Sequence, residues 1–156
     1  MELVNRPRRL RQTDAVRRMC RETRLSPDSL IYPIFVDETL QGQRPIPALA
    51  GQFHYGLDSV NQAVEECLSA GVGRCILFGL PAKKDAQGSS AWEKKGVIQE
   101  AIRAIKAKYP DFYIITDVCM CEYTDHGHCG ILCGHEVDND RTLSYIARIA
   151  LSHARA

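Results

Sequence analysis

Apolar residues along this chain alternate between compact runs and spacings of three and four, and that alternation predicts three strand–helix units. Leu30 to Val36 reads as a strand. It is broken by Pro33, which suits an edge or a bulge better than the middle of a sheet. Val60, Ala63, Val64, Cys67 and Leu68 then follow the one-faced spacing of a helix, with Asp58 as its cap and Gly71 as its stop. Arg74 to Leu80 reads as a buried strand. Gly96 to Lys108 reads as a helix with Val97, Ile98, Ala101, Ile102 and Ile105 on one side, and Pro110 prevents its continuation. Phe112 to Val118 forms the third strand. A final helix, capped by Asn139 or Asp140, turns Leu143, Ile146, Ala147, Ala150 and Leu151 inward. Repeated strand and helix is the grammar of a parallel α/β fold.

Ahead of these units, Thr13 is a plausible N-cap for a short helix carrying Val16, Met19, Cys20 and Thr23, ended by Pro27. Residues 1–28 therefore read as an amino-terminal arm and 29–156 as the body. Gly42 to Gly56, with Pro45 and Pro47, reads as a long loop. The polar segment Pro81 to Ala91 holds Lys83, Lys84 and Asp85. Its Gly88-Ser89-Ser90 lacks the glycine pattern of phosphate-binding loops, so a flexible lid is expected.

The length of 156 residues suits one domain, and 45% hydrophobic with 25% charged residues is ordinary for a globular protein. No apolar run approaches the roughly 20 residues needed to span a bilayer. A net charge of +1 does not point to a polyanionic partner. The charge is uneven, however, with eight arginines in residues 1–24 against Glu2, Asp14 and Glu22. Arg6, Arg8, Arg9 and Arg11 could pair phosphates, but no interleaved aromatics or reader motif accompany them, so nucleic acid is not the expected partner. Seven cysteines without a preceding signal peptide predict reduced thiols in the cytoplasm rather than a disulfide framework. Cys20, Cys67 and Cys75 sit in apolar patterns and read as small core residues.

The densest chemistry lies in Asp117 to Ile131, which holds Cys119, Cys121, Cys129, His126, His128 and the Asp117 carboxylate directly after a strand. Thiolates are good zinc ligands, and alternation along a strand end would project Cys119 and Cys121 to the same side. Structural zinc modules usually present paired Cys-x2-4-Cys knuckles, which this spacing fits poorly. Three thiolates from one strand end and its loop leave a fourth position open, as in catalytic sites. His126, His128, Cys133 or His135 could instead close the shell. A disulfide between Cys119 and Cys121 would be strained. Three thiolates around a dication carry one net negative charge and Asp117 adds another, which favours a cationic amine. Asp117 also has a plainer reading as a cap for the loop after it.

The run Asp117-Val-Cys-Met-Cys-Glu-Tyr-Thr-Asp-His-Gly-His-Cys-Gly resembles the zinc–cysteine signature of the porphobilinogen synthase family, also called delta-aminolevulinic acid dehydratases. Arg6-Pro7-Arg8-Arg9-Leu10-Arg11 is similar to the family's arm, Leu30 to Val36 to its first strand, and Phe78-Gly79 with Gly88-Ser89-Ser90-Ala91-Trp92 to its second strand and loop. The chain departs at Asp125, where a serine is usual, and at Leu49-Ala50-Gly51, which replaces a Met-Pro-Gly turn.

The resemblance implies an incomplete (β/α)8 TIM barrel of about three βα units behind an amino-terminal arm. It further implies condensation of two 5-aminolevulinate molecules to porphobilinogen, in tetrapyrrole synthesis. Zn2+ would be held by Cys119, Cys121 and Cys129, and Asp117 would meet the substrate nitrogen. Homo-octamers assembled through the arm and allosteric Mg2+ are implied in the same way. The family's two Schiff-base lysines lie in motifs like Lys-Phe-x-Ser and Met-Val-Lys-Pro, and neither motif occurs here. The six lysines, at 83, 84, 94, 95, 106 and 108, read as surface charge. The chain alone is thus expected to be inactive, with unpaired edges on its first and third strands and a tendency to aggregate. The competing expectation is a small zinc-binding α/β interaction module without catalysis.

Overall fold

The computed structural model describes residues 7–156. Of the arginine-rich arm, Arg6 and the residues before it lie outside the described residues. Helix α1 (Asp14–Cys20) starts where expected, with the Thr13 side chain accepting from the Val16 amide at 3.2 Å. It ends well before Pro27 and buries no residue. Met19 and Cys20 are exposed. The core role expected for Cys20 is therefore wrong, because among the described residues nothing covers the apolar side of α1.

Five strands form one sheet, in the order β2-β3-β1-β4-β5. β1 (Tyr32–Asp37) pairs in parallel with β4 (Arg74–Leu80), Ile34 opposite Leu77 and Val36 opposite Gly79. β4 pairs in parallel with β5 (Tyr113–Thr116), Ile76 opposite Ile115. The segment expected to be a loop holds β2 (Gln43–Pro45) and β3 (Phe53–Tyr55), which pair with each other antiparallel. β3 also joins β1 in parallel, so β1 is an interior strand and the expected open edge there is closed. Pro33 survives inside the sheet because β3 pairs only at Phe35 and Val36, leaving that flank of the strand free at Pro33. β5 keeps the open outer edge that the pattern predicted.

Asp37 fastens the β2–β3 hairpin to β1. Its carboxylate accepts from the Thr39 amide and hydroxyl and from Arg44, at 2.9, 2.7 and 2.9 Å. Burial opposes its charge, yet the Thr39 hydrogen bonds and Arg44 outweigh burial and hold its pKa below the ordinary value.

Ile34, Val36, Cys75 and Leu77 are buried beneath two helices. α2 (Val60–Ser69) buries Val60, Ala63, Val64 and Cys67, and α3 (Val97–Lys108) buries the five apolar residues expected of it. Leu68 is 41% exposed, at the rim of the α2 face. Asp58 does not cap α2. It accepts instead from the Gly42 amide at 3.0 Å, tying the hairpin to the helix start, while Ser59 occupies the cap position.

α4 (Asn139–Ala154) is capped one residue earlier than expected, by Asp138 accepting from the Arg141 amide at 3.0 Å. Its inward face is also rotated from the expected one. Thr142, Ile149 and His153 are buried, whereas Leu143 and Leu151 are 58% and 50% exposed. The helix turns because polar groups on that face have specific partners. Thr142 Oγ1 accepts from the Ile131 amide at 3.0 Å, and His153 Nδ1 meets Thr116 Oγ1 at 3.1 Å. A short hairpin, β6 (Leu132–Cys133) and β7 (Glu136–Val137), precedes α4.

Two consequences are measurable. A Cβ at Gly79 would collide with the Tyr123 hydroxyl and approach Val97 and Ile98 at 2.9 and 2.8 Å. Gly79→Ala is expected to cost about 1–3 kcal/mol of unfolding free energy in urea titrations, the usual range for overpacking. His153 Nε2 is buried without a hydrogen-bond partner among the described residues, and burial lowers the ring's pKa below its ordinary 6.5. The native state thus favours the neutral ring, and the unfolded chain takes up the extra proton first. Stability should fall as pH drops through about 6.5 and go on falling until the folded ring titrates. Urea midpoints measured from pH 7.5 to 5.5 should show that slope, and His153→Gln should flatten it.

Candidate metal centre

β5 ends at Thr116, and the Asp117 amide makes the last ladder bond, to the Leu77 carbonyl at 3.1 Å. Cys119 and Cys121 are therefore placed by the loop beyond the strand and not by strand alternation. Two buried side chains anchor that loop. Met120 is 0% and Tyr123 2% exposed, and the Met120 carbonyl accepts from the amides of Tyr123 and Thr124, both at 2.9 Å. The resulting tight turn carries Cys121 on its outer side. Thr124 Oγ1 then donates to the His128 carbonyl at 2.9 Å, which folds the chain back and delivers Cys129.

Three sulfurs meet as a result. Cys119 and Cys121 Sγ lie 3.4 Å apart, and the three Sγ atoms of Cys119, Cys121 and Cys129 fall within 4.8 Å of one another. Zinc–sulfur bonds of about 2.3 Å in tetrahedral geometry require sulfurs roughly 3.8 Å apart, so the cluster fits a metal ion with little movement. Cys121 and Cys129 also resist ionisation in this cluster. Burial, followed by hydrogen bonds that the protonated Cys121 thiol makes with Cys119 and Cys129, pushes the Cys121 thiol up to about 12, and the hydrogen bond with Cys119 raises Cys129. A dication between them would supply the opposite charge that their ionised forms lack.

None of the sequence-expected fourth ligands joins this group among the described residues. His126 is engaged at both ring nitrogens, Nδ1 accepting from the His128 amide at 3.1 Å and Nε2 meeting the Ala86 carbonyl at 3.3 Å. His128 is exposed. Cys133 is exposed on β6, and His135 is exposed at the turn into β7.

Asp117 is half-buried, and among the described residues no hydrogen bond or ion pair ends on its carboxylate. It does not cap the loop. Glu122, which pattern reading missed, carries a pKa raised to about 7. Burial is the main cause and the Asp117 charge the second, opposed by the Gly79 amide and Lys84. Two carboxylates and three thiols thus crowd the carboxyl end of the sheet, where ligands gather in parallel α/β folds. All six lysines are exposed.

The segment expected to be a flexible lid is tied down beside this cluster. Asp85 forms an isolated parallel bridge with Thr124, its amide donating to the Tyr123 carbonyl at 3.3 Å and its carbonyl accepting from the Asp125 amide at 3.2 Å. The Asp85 carboxylate accepts from the amides of Gln87 and Ser89 at 2.9 and 3.1 Å and from the Ser89 hydroxyl. Asp85 followed by Gly88-Ser89 was the available sequence signal for such a self-bonded turn.

Comparison with known proteins agrees with this geometry. A sequence model of the family described as delta-aminolevulinic acid dehydratase matches residues 4–156. The delta-aminolevulinic acid dehydratase of Ruminiclostridium josui is 53% identical over 99% of this chain and 75% of its own length. That of Archaeoglobus fulgidus is 51% identical over 97% of this chain and 47% of its own length. Among solved structures, delta-aminolevulinic acid dehydratase (porphobilinogen synthase) from Toxoplasma gondii, in complex with the reaction product porphobilinogen, superposes with a TM-score of 0.90. It is 30% identical, and the match covers 98% of this chain and 44% of that one. The chain thus spans about half the length of most of these relatives. With a parallel α/β sheet, a three-cysteine cluster at its carboxyl end and a family match over nearly every residue, the chain belongs to the delta-aminolevulinic acid dehydratase family.

Proposed function

We propose that this chain is the zinc-binding part of a porphobilinogen synthase, the enzyme that condenses two 5-aminolevulinate molecules to porphobilinogen. Cys119, Cys121 and Cys129 would hold Zn2+, and Asp117 would receive the substrate amine. One observation carries this reading: three sulfurs within 4.8 Å at the carboxyl end of a parallel sheet, with no fourth protein ligand among the described residues. Zinc held by three protein ligands keeps a position for water or substrate and supplies Lewis-acid polarisation or a more acidic bound water there.

The chain's own groups have separable roles. Three thiolates around a dication leave one negative charge, and the Asp117 carboxylate, without a partner among the described residues, adds a second, so the pocket attracts an ammonium group and orients it. Met120 and Tyr123 hold the ligand loop rigid from below. Schiff-base chemistry is not supplied by these residues, since a lysine is activated by burial or a neighbouring cation and every lysine here is exposed. The three βα units stand as part of a (β/α)8 barrel, residues 1–28 as the arm through which copies associate toward an octamer, and Mg2+ as an allosteric ion. A cytoplasmic setting follows from the same reading. No helix among the described residues is long and apolar enough to cross a membrane.

Zinc titration of the purified chain should give one ion per chain bound through three thiolates, and Cys→Ser at 119, 121 or 129 should each weaken it at least about tenfold. Spectroscopy that finds four protein ligands would overturn the open site and favour the non-catalytic module. The chain alone should form no porphobilinogen from 5-aminolevulinate. Sustained turnover would overturn the assignment of the lysines to surface charge.

A further inference from the structure

We propose that Asp85 is a positioning residue for Cys129, acting across two loops that the sequence keeps far apart. The inference rests on the reading of Cys119, Cys121 and Cys129 as metal ligands. Cys119 and Cys121 lie in the loop that leaves β5 and are fixed by the buried Met120 between them. Cys129 is exposed, and no buried side chain separates it from the turn Asp125 to His128 that delivers it. Buried Ile131, its amide donating to Thr142 Oγ1, anchors the chain after Cys129, so the approach from the other side depends on what holds that turn.

The holding contacts run in series from Asp85. Its carboxylate, accepting from the Gln87 and Ser89 amides and the Ser89 hydroxyl, folds residues 85–89 into a closed turn. Those hydrogen bonds hold the Asp85 pKa below its ordinary value, the Ser89 hydroxyl contributing most, with burial opposing them. The folded turn offers its backbone to the ligand loop, at Tyr123 and Asp125, and the Ala86 carbonyl meets His126 Nε2. Between those contacts Thr124 is 1% exposed, and its hydroxyl grips the His128 carbonyl, one residue before Cys129. Gly88 completes the fit. A Cβ there would sit 3.2 Å from Tyr123 Cβ and 3.4 Å from Thr124 Cγ2, so the absence of a side chain at Gly88 lets its turn pack closely against Tyr123 and Thr124.

Groups that orient metal ligands without touching the ion typically change affinity by about 10–100-fold when removed. The test uses the full chain and Co2+ as a spectroscopic probe, followed by competition with Zn2+. Asp85→Ala and Thr124→Val should each lower affinity about tenfold or more, and the thiolate-to-cobalt absorption should fall from a three-sulfur to a two-sulfur intensity. Asp85→Asn keeps the acceptor for the Gln87 and Ser89 amides and should retain the three-sulfur spectrum. The double variant Asp85→Ala/Thr124→Val should be no weaker than the weaker single one, because both break the same series.

Circular dichroism of the metal-free proteins reports folding, and if Asp85→Ala does not fold, Thr124→Val and Asp85→Asn carry the test. Unchanged affinity and spectrum in the folded Asp85→Ala or Thr124→Val proteins would overturn the proposal. So would Asp85→Asn behaving like Asp85→Ala. An unaltered chain that binds Co2+ through fewer than three sulfurs would sink the metal-centre reading itself, and the role of Asp85 with it.

Discussion

Burial of Met120 and Tyr123 in the loop that leaves β5 is the contact on which the site depends. Cysteine side chains are short, and three of them converge only if the backbone between Cys119 and Cys129 follows one path. The two buried side chains set the first half of that path by drawing the loop into the core beside β4 and α3. Tyr123 fits there because Gly79 leaves room for its hydroxyl. A packing decision made in the core thus fixes the geometry of a polar cluster at the surface, since close-packed interiors transmit displacement and do not absorb it.

Electrostatics then work against the same cluster. Three thiols and two carboxylates share one end of the sheet, and both the Cys121 thiol and the Glu122 carboxyl are pushed toward their neutral forms. Such an arrangement is costly unless a cation offsets it, and a divalent ion with one open coordination position would satisfy it while keeping room for a reactant. Asp117, half-buried and without a hydrogen-bond partner among the described residues, adds a second carboxylate to the same end of the sheet.

The sheet is covered unequally. Helices α2 and α3 bury Ile34, Val36, Cys75 and Leu77, whereas Phe35 and Phe78 stack on the opposite face, half-buried, with ring centroids 5.2 Å apart. The β2–β3 hairpin closes one side of β1, and β5 stays open at the other side of the sheet. α4 shows Leu143 and Leu151 to the outside.

Much of this was legible from residue order alone. Periodicity located β4, β5, α2 and α3 because each buries one face against the core, and burial of one face is what writes a period into a sequence. Asp117, Cys119, Cys121 and Cys129 stood out because few other roles need three thiols beside a carboxylate. What the order of residues could not state is which of two apolar stripes on α4 turns inward, since Leu143 and Leu151 are as hydrophobic as Ile149; the partners of Thr142 and His153 decided it. Nor could it reveal that residues 43–45 and 53–55 join the sheet, or that Asp85 meets Thr124. Such contacts join segments distant along the chain, and their existence depends on how the core packs, which only the tertiary structure decides.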